Sequence, residues 1–260
     1  MGKWKEGELV ILYHESGKSF LFPLEKGKIL NTHLGSVSHE EIMRKEEGEE
    51  VITTQGIPLR IFRPTLWDFI FEMKRLSGII YPKDAGYILL WGDIFPGAVV
   101  IEGGIGSGAM LLVLSRTVGE KGRLISYDER EDMIEVAKEN LLRFYGKIPP
   151  HVELKKGNIY EGFEEEDGEV DRIILDVPEP WRVLPHAERV LRGGGILITY
   201  LPTILQVAQF HSEAEKFSFT SPETVEVLVR PWHIKGHSVR PQHRMIAHTG
   251  FLTKIRKCLP

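Results

Sequence analysis

Val99-Val100-Ile101-Glu102-Gly103-Gly104-Ile105-Gly106-Ser107-Gly108 decides the fold of this chain. An apolar run reaches an acid, glycines then recur at close spacing, and an apolar segment of helical character follows. The pattern predicts a buried strand, a tight turn and a helix N-terminus. Glycines there let a nucleotide-sized ligand lie almost against the backbone, where a Cβ would block it. The stretch is not the Gly-x-x-x-x-Gly-Lys-Ser/Thr cradle of a phosphate site. An acid in front of the glycines repels a pyrophosphate and suits a ligand with ammonium or sulfonium charge. The plain alternative is a tight turn that holds no ligand.

Arg123-Leu124-Ile125-Ser126-Tyr127-Asp128 is a second apolar strand ending in an acid. Asp128 lies 20 residues beyond Gly108, near the ~20-residue spacing that places a carboxylate on a ribose hydroxyl pair. The alternative makes Asp128 the cap of a helix starting near Glu131. The ribose reading and the charge reading converge on S-adenosylmethionine, which carries both an ammonium and a sulfonium. Glu102, Gly104, Ile105, Gly106, Ser107 and Gly108 are expected to wrap its methionine end, and Asp128 its ribose. Gly157-Asn158-Ile159 follows a third strand. There Asn158 can meet the adenine amino group while Ile159 packs on the ring.

Leu175-Asp176-Val177-Pro178-Glu179-Pro180-Trp181 supplies the candidate catalytic group. Asp176 follows the apolar strand Ile173-Ile174-Leu175, so it is expected at the carboxyl edge of the sheet, where ligands of such folds bind. It also borders the cofactor site. A carboxylate there can accept a hydrogen bond from the exocyclic amine of a base. Methyl transfer to a ring nitrogen builds positive charge, which a fixed carboxylate stabilises, and the carboxylate can assist proton loss. The alternative is a cap on the turn or helix that follows. Trp181, Trp232 and Tyr81 are candidates for stacking on a base, with core packing as the other reading.

Strands alternate with helices from about residue 81 to 216, which argues a doubly wound parallel sheet of Rossmann-like α/β class. Thr224–Val229 and Met245–Ile255 read as an antiparallel hairpin on the sheet edge, joined by a basic loop. Residues 1–63 read as a small β-barrel-like domain of short strands, with a hairpin at Ser16-Gly17-Lys18. Arg63-Pro64 sets the boundary, and residues 64–260 form the larger domain. The acid-rich stretch from Gly162 to Asp171 reads as an exposed loop.

The chain of 260 residues is 42% hydrophobic and 27% charged, ordinary for a globular protein. Its one cysteine excludes an internal disulfide and fits a reducing compartment. No signal-peptide pattern or membrane-span-length apolar run occurs, so the expected location is cytoplasmic. Net charge is −4, yet residues 227–260 hold seven Lys/Arg and no acid. Arg240, Arg244 and His248 there are candidate contacts to a nucleic-acid backbone. A solubilising surface or an oligomer contact is the alternative. The histidines lack the spacing of a zinc site, and no metal is expected.

Glu102 to Gly108, Ser126-Tyr127-Asp128, Tyr160-Glu161-Gly162 and Ile174-Leu175-Asp176-Val177-Pro178 resemble the tRNA (adenine-58-N1)-methyltransferases of bacteria and archaea. Arg63-Pro64-Thr65, Tyr81-Pro82-Lys83-Asp84, Arg240-Pro241 and His248-Thr249-Gly250-Phe251 agree, so the resemblance spans nearly the whole chain. It implies a class I methyltransferase fold, S-adenosylmethionine as cofactor, the T-loop adenine of tRNA as target and a homotetramer. Three positions depart from the family pattern: Asp128 for Glu, Asn158 for Asp and Gly78 for Gln. Two other functions stay open. One is methyl transfer to a small molecule or protein carboxylate. The other is a non-catalytic RNA-binding subunit of a tRNA methyltransferase.

Overall fold

The computed structural model describes residues 4–259. They divide into two compact units, residues up to Met73 with Leu142–Lys147, and Lys74–Leu141 with Ile148 onward.

In the first unit, β1 (Leu9–Tyr13), β2 (Ser19–Pro23), β5 (Glu50–Ile52) and β6 (Pro58–Phe62) form an antiparallel sheet of order β2-β1-β6-β5. Strands β3 (Ile29–Thr32) and β4 (Gly35–Ser38) pair as a separate ribbon, followed by the short helix α1 (His39–Met43). The sequence suggests a small barrel-like or sandwich unit. The sheet instead stays open, because β5 is three residues long and β2 ends at Pro23, which has no N–H to continue a ladder. Val10, Leu12, Leu24, Val37, Ile42, Val51, Leu59 and Ile61 fill its core. Helix α2 (Leu66–Glu72) falls within this unit and starts in a capping box between Thr65 and Asp68.

The second unit is built on a seven-stranded sheet. In chain order it contains α3 (Pro82–Trp91), β7 (Val99–Gly103), α4 (Ala109–Val118), β8 (Arg123–Asp128), α5 (Glu131–Tyr145), β9 (Val152–Lys156) and β10 (Val170–Leu175). A 3-10 turn (Pro180–Val183), α6 (Leu184–Val190), β11 (Leu191–Leu201), α7 (Ile204–Ala214), β12 (Glu223–Glu226), β13 (Trp232–Lys235), β14 (Ser238–Pro241) and β15 (Phe251–Arg256) complete it. The last turn of α5 counts with the first unit. The sheet order is β12-β15-β11-β10-β7-β8-β9. Strands β7 to β11 run parallel, and β15 is antiparallel to both β11 and β12.

Strands β7, β8 and β10 are almost wholly buried, as runs such as Val-Val-Ile and Arg-Ile-Ile-Leu require when helices cover both faces. One face packs on Leu184, Ala187 and Val190 of α6 and on Val207, Phe210 and Ala214 of α7. Helix α4 covers β7 and β8. The chain winds outward through β7, β8 and β9 and returns to place β10 on the other side of β7. The switch point between β7 and β10 opens a crevice at their carboxyl ends.

Two expectations change in detail. The edge hairpin forms between β12 and β15, but residues 245–250 are not strand, and the connecting segment folds its own ribbon, β13 with β14. The acidic stretch before β10 is not wholly solvated. Glu165 is buried, because the Tyr127 hydroxyl donates to it at 2.9 Å and Lys155 Nζ reaches it at 2.9 Å. A carboxylate given a phenol and an ammonium can leave water.

Candidate active site

The glycine turn is held from both sides. Gly104 N donates to Tyr127 O at 2.9 Å and Asp176 N donates to Gly103 O at 2.9 Å, tying the ends of β8, β7 and β10 together. Gly104 has φ +87°. A Cβ there would collide with the Asp176 carbonyl, so the turn and the end of β10 approach only because the side chain is absent. Gly106 has φ +52° and donates its N–H to Asp128 Oδ2 at 3.1 Å. Ser107 is buried, its Oγ accepting from Leu76 N at 2.9 Å. Ile105 is buried within the turn. Gly108 caps α4 and backs onto Ala137 of α5, away from the crevice.

Above the turn lies a cavity of about 830 Å³. Glu102, Gly104, Ile105, Gly106, Ser107, Asp128, Ile159 and Asp176 all line it, so the structure brings these sequence candidates to one place. Asn158 is not among its lining residues. Its Oδ1 accepts from Tyr160 N at 3.0 Å and its Nδ2 donates to Glu161 Oε1 at 3.1 Å, an internal turn that directs Gly157 and Ile159 to the cavity instead. Of the stacking candidates, Tyr81 lines the cavity, Trp181 packs against the core and Trp232 is exposed on β13.

The acids differ in environment. Glu102 is 2% exposed, accepts from Ser126 Oγ at 2.6 Å, and is pushed up to about 8 by burial, the Ser126 hydroxyl offsetting only part of the cost. Asp176 is exposed toward the crevice, and desolvation of its carboxyl against the cavity wall raises it to about 7. Asp128 is half-buried and accepts from two backbone N–H groups, those of Gly106 and Arg130. It therefore fastens the loop after β8 while still facing the cavity.

Sequence reasoning missed a buried cluster at the crevice rim. Lys83 Nζ donates to Asp84 Oδ1 at 2.9 Å, Thr249 Oγ1 at 2.6 Å and Val227 O at 2.6 Å. The Thr249 hydroxyl donates to Asp84 Oδ2 at 2.7 Å. All three ammonium protons are used, which is what a buried ion pair needs. Tyr81-Pro82-Lys83-Asp84 and His248-Thr249-Gly250-Phe251 thus meet in space, and Tyr81, Tyr200 and Thr249 form that wall of the cavity. The two tetrapeptides are visible in the sequence, but nothing in it says that they pair.

Of the basic candidates, Arg244 is exposed and Arg240 half-buried on the ribbon and its following loop. His248 Nδ1 lies 2.7 Å from Glu226 Oε1 and Nε2 2.9 Å from Pro202 O. Both neighbours are acceptors, an arrangement that favours the protonated ring, and hydrogen bonding to Glu226 raises the imidazole above its ordinary range. Among the described residues, no group of three or more His, Cys, Asp or Glu is arranged to hold a metal, and no helix is long and apolar enough to cross a membrane.

Residues 59–249 match the family described as tRNA methyltransferase complex GCD14 subunit. The chain belongs to this family. The GCD14-family match takes in the glycine turn, Asp176 and the rim cluster together. The tRNA (adenine(58)-N(1))-methyltransferase TrmI of Thermus thermophilus is 34% identical over 248 residues, 95% of this chain and 96% of its own. The tRNA (adenine(57)-N(1)/adenine(58)-N(1))-methyltransferase TrmI of Methanocaldococcus jannaschii is 35% identical, covering 95% and 94%. Among solved structures, a SAM-dependent O-methyltransferase from Thermotoga maritima superposes with TM-score 0.94 at 38% identity over 99% of this chain and 96% of its own. The tRNA (m1A58) methyltransferase TrmI of Aquifex aeolicus gives 0.88 at 30%, covering all of both. The fold is that of the SAM-dependent methyltransferases, and the GCD14-family chain is an enzyme of that kind.

Proposed function

We propose that this chain transfers a methyl group from S-adenosylmethionine to N1 of adenine 58 in the T loop of tRNA. The observation that carries the reading is Asp176, which opens from the end of β10 into the cavity under which the glycine turn lies. The cavity suits the cofactor. Gly104 and Gly106 let the turn pack against Asp176 and Ser77 at the cavity floor, and the carboxyl groups of Glu102, Asp128 and Asp176 line it. Ile105, Met110, Met133 and Ile159 supply apolar wall. S-Adenosylmethionine brings a methyl group activated on a sulfonium.

In this reading Glu102 and the turn from Gly104 to Ser107 hold the methionine end, with Gly108 serving only to start α4, while Asp128 holds the ribose and Ile159 the adenine ring on a loop shaped by Asn158. Asp176 accepts the exocyclic amine of the target base and stabilises the positive charge that grows on its ring. Adenine 58 must leave its stack to reach Asp176, which costs a few kcal/mol. Arg240 and Arg244 offset that through phosphate contacts, whereas both His248 ring nitrogens are already engaged by Glu226 and Pro202. Trp232, Ile234, Val239 and Ile246 are exposed on or beside the β13–β14 ribbon, which supports self-association as a homotetramer. A tRNA substrate and a single cysteine support a cytoplasmic location.

The Thermotoga neighbour, described as an O-methyltransferase, favours a second reading, methyl transfer to an oxygen, and a small molecule or a protein carboxylate would be the acceptor in that reading. Labelled cofactor offered with unmodified tRNA and with a panel of small hydroxyl and carboxyl compounds separates the two. Label on nucleotide 58, mapped by mass after nuclease digestion, is the expected result. Label on a small compound with none on tRNA overturns the proposal, and tRNA binding without transfer leaves the non-catalytic subunit.

A further inference from the structure

Glu102 stands apart from the other acids of the cavity. It is 2% exposed, and its side-chain donor is one hydroxyl, that of Ser126 at 2.6 Å. The Leu111 N–H, in the first turn of α4, also faces it. Asp176 at the end of β10 and Asp128 at the end of β8 line the same cavity, and their charges act on it. Glu129 and Glu179 line the same space. The cationic side chain in the lining is Arg130, which is already paired with Asp132 at 2.6 Å. A negative charge on Glu102 therefore has little to balance it while the cavity holds water alone.

We propose that Glu102 senses the charge of the ligand: it is protonated in the empty cavity and with a neutral thioether, and it ionises when a sulfonium ligand enters. This rests on the proposed cofactor and adds that the site tells methyl donor from demethylated product by a proton. Burial and two facing carboxylates hold the acid neutral until a cation arrives. The sulfonium is the charge that distinguishes S-adenosylmethionine from S-adenosylhomocysteine. Both carry the same amino and carboxyl groups. A donor that expels a proton binds more tightly as pH rises, whereas a ligand that expels none does not. Preference for donor over product then increases with pH, and product inhibition relaxes.

Titration calorimetry of the whole protein near pH 7, in phosphate and in Tris, counts protons released on binding. S-adenosylmethionine should release on the order of half a proton more than S-adenosylhomocysteine. In Glu102→Gln that difference should shrink, the ligands' own ionisation being common to both proteins. Equal proton counts for the two ligands overturn the proposal, and so does a Gln variant that keeps the difference. Should Glu102→Gln fail to fold, the unaltered protein decides. Its ratio of S-adenosylhomocysteine to S-adenosylmethionine Kd should rise roughly tenfold between pH 6 and pH 7.5, and a flat ratio overturns the idea. Failure of either ligand to bind at all defeats the proposed function itself, a result distinct from the other two.

Discussion

At Asp176 one carboxylate faces water on one side and packed protein on the other. The proposed role in stabilising charge on the base predicts that Asp176→Asn lowers kcat by about 100- to 1,000-fold. Cofactor affinity, read by calorimetry, should change only a few-fold, since Glu102 and Asp128 remain. With its carboxyl raised to about 7, kcat/KM should fall as pH drops through that value, because the anion is the working form. Stability runs the other way. Asp176 and Glu102 both have raised carboxyls, so the folded state binds protons that the unfolded chain has released. Their neutral forms favour folding at acid pH, and that advantage is lost as pH rises through about 7 to 8. Glu102→Gln should raise Tm by a few degrees at about pH 8.5 and change it little at about pH 5, whereas Asp176→Asn should move it less, because solvent screens that exposed carboxylate. Sequence position alone marks Asp176 and Glu102 as acids at strand ends. Their shifted ionisation comes from neighbours far away in the chain.

At the scale of elements, the clamp of Lys83, Asp84 and Thr249 joins the first turn of α3 to the ends of β12 and β15. Lys83→Met leaves Asp84 buried without its cation and should cost about 3–5 kcal/mol in denaturant unfolding. Thr249→Val should cost about 1–2 kcal/mol, since the Lys83–Asp84 pair survives it. Combining Lys83→Met with Asp84→Asn should cost less than the sum of the two, because the stranded charge is gone. Such pairings are illegible from sequence, as 165 residues separate Asp84 from Thr249. The strands and helices were legible where one face meets the core. The runs of β7, β8 and β10 and the helices between them fall near their expected places for that reason. The β13–β14 ribbon was not legible. Trp232-His233-Ile234-Lys235 does alternate, but each strand is only four residues long, among basic and turn-forming residues that read as a loop, and its apolar side chains are exposed rather than set against the core.

For the whole molecule, the acid-free segment after residue 226 sets a patch of positive charge on a chain of net charge −4. Arg240→Ala with Arg244→Ala should weaken tRNA binding and lower the slope of log affinity against log salt by roughly 1 to 2, measured by filter binding across salt concentrations. Cofactor affinity should stay unchanged. An unaltered slope would return those arginines to the solubilising role.

The sequence by itself determined the alternation of strands and helices from β7 to α7, the glycine turn, the acid at the end of each of the three strands β7, β8 and β10 that reaches the crevice, and the family. Each is written in local spacing, whether a period of burial, a turn that only glycine permits or a charge at a strand terminus. Only the tertiary structure decided which residues share the cavity. It turned Asn158 inward on its own loop, buried Glu165 against Tyr127 and Lys155, and brought Asp84 to Thr249. Those outcomes depend on desolvation and on hydrogen bonds between segments distant in sequence, and such energies exist only once the chain has closed around them.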